Sequence, residues 1–347
     1  VNFSRRAHWN APTNRLTIAR QSRRDLLDLT NSNPTKAGIE YPLDELAEIM
    51  ARAARAPYDP QPLGIRSARE AVAEHEGCDP DDVVITASTS EAYSFLFKLI
   101  TDPGDAVAVP TPSYPLLEHL AQLELITLKP FPMEFHKRWE IDVARVPENV
   151  KALVVVNPNN PTGSFATLPE MNIPVISDEV FKDYVLNGAP APSPATFHLG
   201  GLSKSTGLPH FKLGWIITKD REAINALELI ADNFLSVSSP VQVALPALFR
   251  LKIRGNIQSR IEASLAALEK ALEDKPHAQL LPVEGGWSAV IRIPQTMTDE
   301  EFALQAIENH GVVVQPGYFF DFDRDGYFVV SLLTEPKLLE EGVARIV

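Results

Sequence analysis

Short apolar runs recur through the middle of this chain, at 83–86, 106–109, 152–156, 174–176 and 215–218. Runs of this length, without strict alternation, suit strands buried on both faces. Helical stretches separate several of them, as at 91–100 and 116–124. Buried strands alternating with helices predict an α/β architecture with a largely parallel sheet. In such sheets ligands gather at the carboxyl ends of the strands. The residues just after each run are therefore the candidates for chemistry.

The flanks read differently. Residues 1–35 are rich in Arg, Asn and Ser and read as an arm. Residues 44–55 look helical, with Leu46, Ile49 and Met50 on one side; a Pro/Gly turn at 58–64 precedes a helix carrying Ala68, Ala71, Val72 and Ala73. Beyond Pro240 a long helical stretch, 257–272, leads to strand-like and helical segments at 283–294, 299–309, 312–315 and 327–333, the texture of a smaller α+β unit. The expected organisation is an arm at 1–35, a large domain at 36–239 and a small domain at 240–347. Ala189-Pro-Ala-Pro-Ser-Pro194 reads as an extended loop.

Charge narrows the partners. With 32 basic and 45 acidic residues the net charge is −13, which repels nucleic acid phosphates and anionic lipid but leaves room for a small anion in a local nest of donors. The single cysteine, Cys78, allows no intrachain disulfide, so a reducing, cytoplasmic setting is expected. No apolar run reaches the length of a membrane span, and the first residues carry no apolar signal segment.

Four of the strand ends supply polar residues. After the first run come Ser88, Thr89, Ser90 and Glu91 at a helix start, where free N–H groups and hydroxyls can cradle a phosphate; Ser88-x-x-Glu91 is equally a capping box. Asn157-Pro-Asn-Asn-Pro-Thr-Gly163 is a stiff turn able to fix an amide over a ligand. Ser177-Asp178-Glu179 puts acids at a strand end, where a helix cap or a solvated acid is the ordinary outcome unless a cation faces them. In Leu199-Gly-Gly-Leu-Ser-Lys204-Ser-Thr-Gly-Leu-Pro209 a lysine among small residues can approach a ligand closely. Ser203 precedes that lysine where a nucleotide-binding P-loop needs Gly, so the P-loop reading fails.

In this order, the stretches Asn160-Pro-Thr-Gly163, Asp178-Glu-Val180, Ser203-Lys204, Gly207-Leu-Pro209 and Leu213-Gly-Trp215 resemble the class I/II aminotransferases, enzymes of fold type I that use pyridoxal 5′-phosphate (PLP). Pro103-Gly-Asp105 and Thr111-Pro-Ser-Tyr-Pro115 also match. The resemblance implies a large domain with a mainly parallel seven-stranded sheet between helices, plus a smaller α+β domain. It implies that Lys204 forms the imine with the cofactor aldehyde and then serves as general base and acid. Asp178 would pair with the pyridinium nitrogen, Asn160 would bond the ring oxygen, and Tyr114 would stack on the ring. Ser88, Thr89, Ser90 and Lys212 would hold the phosphate. Tyr58 would reach the phosphate of a neighbouring subunit, which implies a homodimer with shared active sites.

Departures from the family pattern are also legible. Phe181 stands where relatives usually carry a Tyr, with Tyr184 nearby as a substitute; Gly201 replaces a Ser, and Lys212 replaces an Arg, losing its bidentate fork. Val329 occupies the place of the Arg that clamps the substrate carboxylate, which leaves Arg292, Arg324, Arg5 or Arg6 as replacements. Residues 164–172 hardly provide the helix that relatives have there. An amino acid passing its amine to a 2-oxo acid is the leading expectation. The alternatives are another PLP reaction on this scaffold (β-lyase, racemase or cyclase) and a PLP-binding module without turnover. Trp287, Tyr318 and Phe319, with Tyr114, suggest an aromatic pocket wall. No metal site is expected.

Overall fold

Seven strands build the central sheet of the computed structural model, which describes residues 2–6, 12–188 and 194–347. They are β1 (Val83–Thr86), β2 (Ala106–Thr111), β3 (Thr127–Pro132), β4 (Leu153–Val156), β5 (Val175–Asp178), β6 (Phe197–Gly201) and β7 (Gly214–Ile217). Their spatial order is β1-β7-β6-β5-β4-β2-β3. β7 runs antiparallel to both neighbours and the other pairings are parallel, so six strands share one direction. This is the seven-stranded, mainly parallel sheet expected.

Two of the strands escape a reading of apolar runs. β3 carries Pro130 and Pro132, which a strand accepts because it lies at the sheet edge. β6 ends in Gly200 and Gly201. Gly200 stands in register with Trp215, and a Cβ there would lie 2.3 Å from the indole nitrogen. The indole fills the space that a side chain would need.

After α1 (Arg15–Gln21), helices cover both faces of the sheet: α2 (Leu43–Ala53), α3 (Arg66–Glu76), α4 (Thr89–Ile100), α5 (Leu116–Leu123), α6 (Leu202–Ser205), α7 (Arg221–Asp232) and α8 (Ser239–Leu248). Successive residues of a strand point to opposite faces. Val83, Ile85, Trp215 and Ile217 accordingly join a core with Val72 of α3 and Leu245 of α8, while Val84 and Ile216 join another with Leu96 of α4 and Leu227 of α7.

The C-terminal part holds α9 (Ile253–Leu272), α10 (Asp299–His310), α11 (Pro336–Ile346) and a four-stranded antiparallel sheet. Its strands, β8 (Gln279–Leu280), β9 (Ser288–Arg292), β10 (Gln315–Pro316) and β11 (Tyr327–Ser331), lie in the order β8-β9-β11-β10. The segment read as an arm joins this part. α1, capped by Asn14, packs on α10, and Leu27–Asp28 pairs in parallel with Val312–Val313. Leu29 is fully buried as a result.

Residues 164–172 form no helix. They run as an irregular crossover, with Phe165, Ala166 and Leu168 buried and the chain pinned where Asn157 Oδ1 accepts from Ala166 N at 2.9 Å. The proline-rich loop expected at 189–194 lies, apart from Pro194, outside the described residues. Among the described residues no helix is long and apolar enough to cross a membrane.

Candidate functional site

The carboxyl ends of β1, β5 and β6 open on one cavity of about 310 Å³. Its walls include Ser88, Thr89, Ser90, Tyr114, Asn160, Asp178, Lys204 and Lys212, which brings together every residue expected at the site except Tyr58. Tyr58 is 75% exposed and lies beside Pro60 and Ser236, away from this cavity.

At the β1 end, Ser88 caps α4: its backbone is extended and its Oγ accepts from Glu91 N at 3.3 Å. Glu91 does not close the reciprocal half of a capping box. Its carboxylate accepts instead from Ala87 N at 2.6 Å and from the Ser236 hydroxyl at 2.7 Å. The first-turn N–H groups of a helix have no intrahelical acceptor, and they lie here beside three hydroxyls. Gly214 of β7 makes this possible, because a Cβ there would come within 2.8 Å of the Ser88 carbonyl carbon. Lys212 lines the same cavity from a left-handed backbone position (φ 51°) and is an exposed residue.

Asp178 ends β5, and Lys204 sits in α6 directly after the adjacent strand β6. The Lys204 Nζ lies 5.0 Å from the Trp287 ring centre and 5.5 Å from that of Phe181. Burial drives the amine's pKa down to about 8, against the opposing charge of Asp178. Burial also pushes the Asp178 carboxyl up to about 6, with Glu179 adding to the rise. The Val180 N–H, the Tyr93 hydroxyl and Lys204 oppose that rise. Asn160 is oriented by Ser288, whose hydroxyl donates to its Oδ1 at 3.2 Å, so the amide N–H₂ remains as the donor.

The departures resolve as follows. Phe181 lines the cavity, but Tyr184 does not replace a lost phenol there, because its buried hydroxyl donates to the Lys204 carbonyl at 2.7 Å. Val329 is fully buried among Val290, Phe320 and Trp139. None of the suggested arginines lines the cavity. Arg292 bonds Gln279, Arg324 bonds the Tyr327 hydroxyl at 2.9 Å, and Arg5 and Arg6 are exposed elsewhere. Among the described residues, the cationic side chains on the wall are Lys204 and Lys212. Of the aromatic residues proposed for the wall, Trp287 and Tyr114 contribute, whereas Tyr318 and Phe319 do not.

The sequence reading missed Tyr93, whose hydroxyl donates to Asp178 Oδ2 at 3.0 Å, and also Ser32 and Ser288. The available signal was helical spacing: Tyr93 lies four residues after Thr89 on α4, hence on the same face. As a set, the wall offers an amine that is half unprotonated near pH 8, a buried acid beside it, and a donor-rich anion cradle.

Comparison with known proteins fits this geometry. The chain is 26% identical over 321 residues to tyrosine aminotransferase of Caenorhabditis elegans, covering 82% of this chain and 69% of that one. It is 31% identical over 219 residues to the S-alkyl-thiohydroximate lyase of Arabidopsis thaliana, covering 53% and 47%. An aminotransferase structure from Mycobacterium tuberculosis superposes with a TM-score of 0.86 at 23% identity, over 100% of this chain and 98% of that one, which shows the shared fold. The fold is accordingly that of the fold type I enzymes. The sequence profile described as aminotransferase class I and II matches residues 24–346. A match over nearly the whole length, with an aminotransferase among the relatives, means that the chain belongs to the class I and II aminotransferases.

Proposed function

We propose that this chain is a PLP-dependent aminotransferase that moves an amino group from an amino acid to a 2-oxo acid by way of Lys204. Family membership supports the cofactor, since class I and II aminotransferases depend on PLP. The residues present also fit it. A largely buried amine and a buried acid line a 310 Å³ cavity together with a helix start bearing hydroxyls and with Lys212. The convergence of Lys204 and Asp178 in this cavity is the observation that carries the reading.

When bound, PLP supplies an aldehyde for amine exchange and a ring that draws electrons from the substrate Cα. Lys204 would contribute the unprotonated Nζ that holds the cofactor, and once released it would take the proton from the substrate Cα as general base and deliver it as general acid to the cofactor's aldehyde carbon. Asp178 would hold a proton at the ring nitrogen. Asn160 would offer its N–H₂ to the ring oxygen, and Tyr114 would lie against the ring. Ser88, Thr89, Ser90 and Lys212 would hold the phosphate. Tyr58, solvent-exposed on this chain, serves the cavity of a second copy, so the working form is a homodimer. We read the chain as an arm (1–35), a large domain (36–239) and a small domain (240–347), and its setting as cytoplasmic.

A lyase is the second reading, favoured by one observation: among the described residues no arginine stands on the wall to grip a substrate carboxylate. The test begins with borohydride reduction of the PLP-treated chain and mapping of the modified residue, expected at Lys204. Single amino acids are then added. Formation of a 2-oxo acid together with the amine form of the cofactor supports transfer. Release of ammonia supports the lyase, and indifference to every amino acid supports a binding module. Modification at any residue other than Lys204 would sink the assignment.

A further inference from the structure

We propose that Tyr93 is a positioning residue of this site: its hydroxyl, donated to Asp178 Oδ2, fixes that carboxylate in the cavity wall and supports its charge. The inference rests on Asp178 being the partner of the cofactor's ring nitrogen.

The carboxylate is held at both ends. Oδ1 accepts from the Val180 N–H at 3.2 Å, and Oδ2 accepts from the Tyr93 hydroxyl at 3.0 Å. A carboxylate has about four acceptor positions, so two remain for a ligand while its plane cannot turn without breaking a bond. Both partners are out of bulk water, with Tyr93 at 3% exposure and Asp178 at 8%. The other charged groups that act on Asp178 are Lys204, which favours its ionised form, and Glu179, which opposes it.

Packing does not require the hydroxyl. Tyr93 belongs to the buried apolar face of α4 with Ala92, Phe95, Leu96 and Phe97, and its ring lies 5.8 Å from that of Phe97. A phenylalanine would fill that volume. The hydroxyl is the part that reaches Asp178. One helix thus serves two groups of the cavity wall, its first turn carrying the hydroxyls and Tyr93 holding the acid.

The consequence concerns where a proton rests. Between a ring nitrogen and a carboxylate it can sit on nitrogen, facing an anion, or on oxygen, facing a neutral ring. A donor on the carboxylate favours the first arrangement, because hydrogen bonds to a charged oxygen are the stronger ones. The protonated ring is the one that draws electrons from the substrate. Loss of the Tyr93 hydroxyl should shift this balance roughly tenfold or more toward the neutral pair.

The test loads the wild-type chain, Tyr93→Phe and Tyr93→Leu with PLP isotopically labelled at the ring nitrogen and reads that nitrogen by NMR across the neutral range. Both variants should move the signal toward the unprotonated position. In both, kcat should fall by about tenfold or more while KM for the amine donor changes little. Tyr93→Leu keeps the test usable should Tyr93→Phe fail to fold. A loaded Tyr93→Phe protein whose ring-nitrogen signal and kcat match wild type would overturn the proposal. A wild-type chain that takes up no PLP would instead overturn the functional reading beneath it.

Discussion

Lys204 and Asp178 each sit in a place that disfavours their charge. The amine has lost water to the rings of Phe181 and Trp287, and the acid is enclosed at the end of β5. Removing water raises a carboxyl's hold on its proton and lowers an amine's, which is how a lysine becomes a nucleophile near neutrality. The unprotonated fraction of Lys204 grows as pH rises through about 8, so PLP uptake followed by absorbance should speed up across that range and level off above it. An uptake rate flat across this range would contradict the assignment. Lys204→Ala should abolish covalent attachment while leaving the circular dichroism spectrum intact. Asp178→Ala should lower kcat by on the order of 10²-fold, with PLP binding weakened as well, and an unchanged rate would remove Asp178 from the chemistry. Lys204, Asp178 and Asn160 were legible because each lies within a short local pattern. The Tyr93–Asp178 bond was not, because it joins residues 85 apart and only the packing of α4 on the sheet brings them together.

Strands and helices carry the same contrast. The buried runs of β1, β2, β4, β5 and β7 declare themselves by composition, since a strand covered on both sides must be apolar throughout. β3 and β6 do not, because prolines and paired glycines are permitted only by where these strands lie: one at the margin, one under an indole. That account makes Gly200 a packing residue. Gly200→Ala should cost about 1–3 kcal/mol of stability, measured by denaturant unfolding, because Trp215 must move off a fully packed face. A variant within experimental error of wild type would show that the indole has room to shift. α1 was illegible for a similar reason: its buried apolar residues, Leu16 and Ala19, have meaning only against α10.

For the whole molecule, the exposed aromatic ring of Tyr58 is the feature that a single chain leaves without a use. Under the homodimer proposal the chain should sediment at twice its 38.3 kDa mass. Tyr58→Phe should then weaken PLP binding by about tenfold without dissociating the pair, as expected for a lost hydrogen bond to a charged group. A monomer that retains full activity would refute shared sites. Fold class was readable at this scale from the alternation of segments and from the family resemblance. How residues 27–28 meet residues 312–313 was not. The parallel pairing of Leu27–Asp28 with Val312–Val313 means that the C-terminal layer is completed by residues made long before it in synthesis. Those residues must therefore wait, without this partner, until Val312–Val313 have emerged from the ribosome. Loss of either segment would open the same seam.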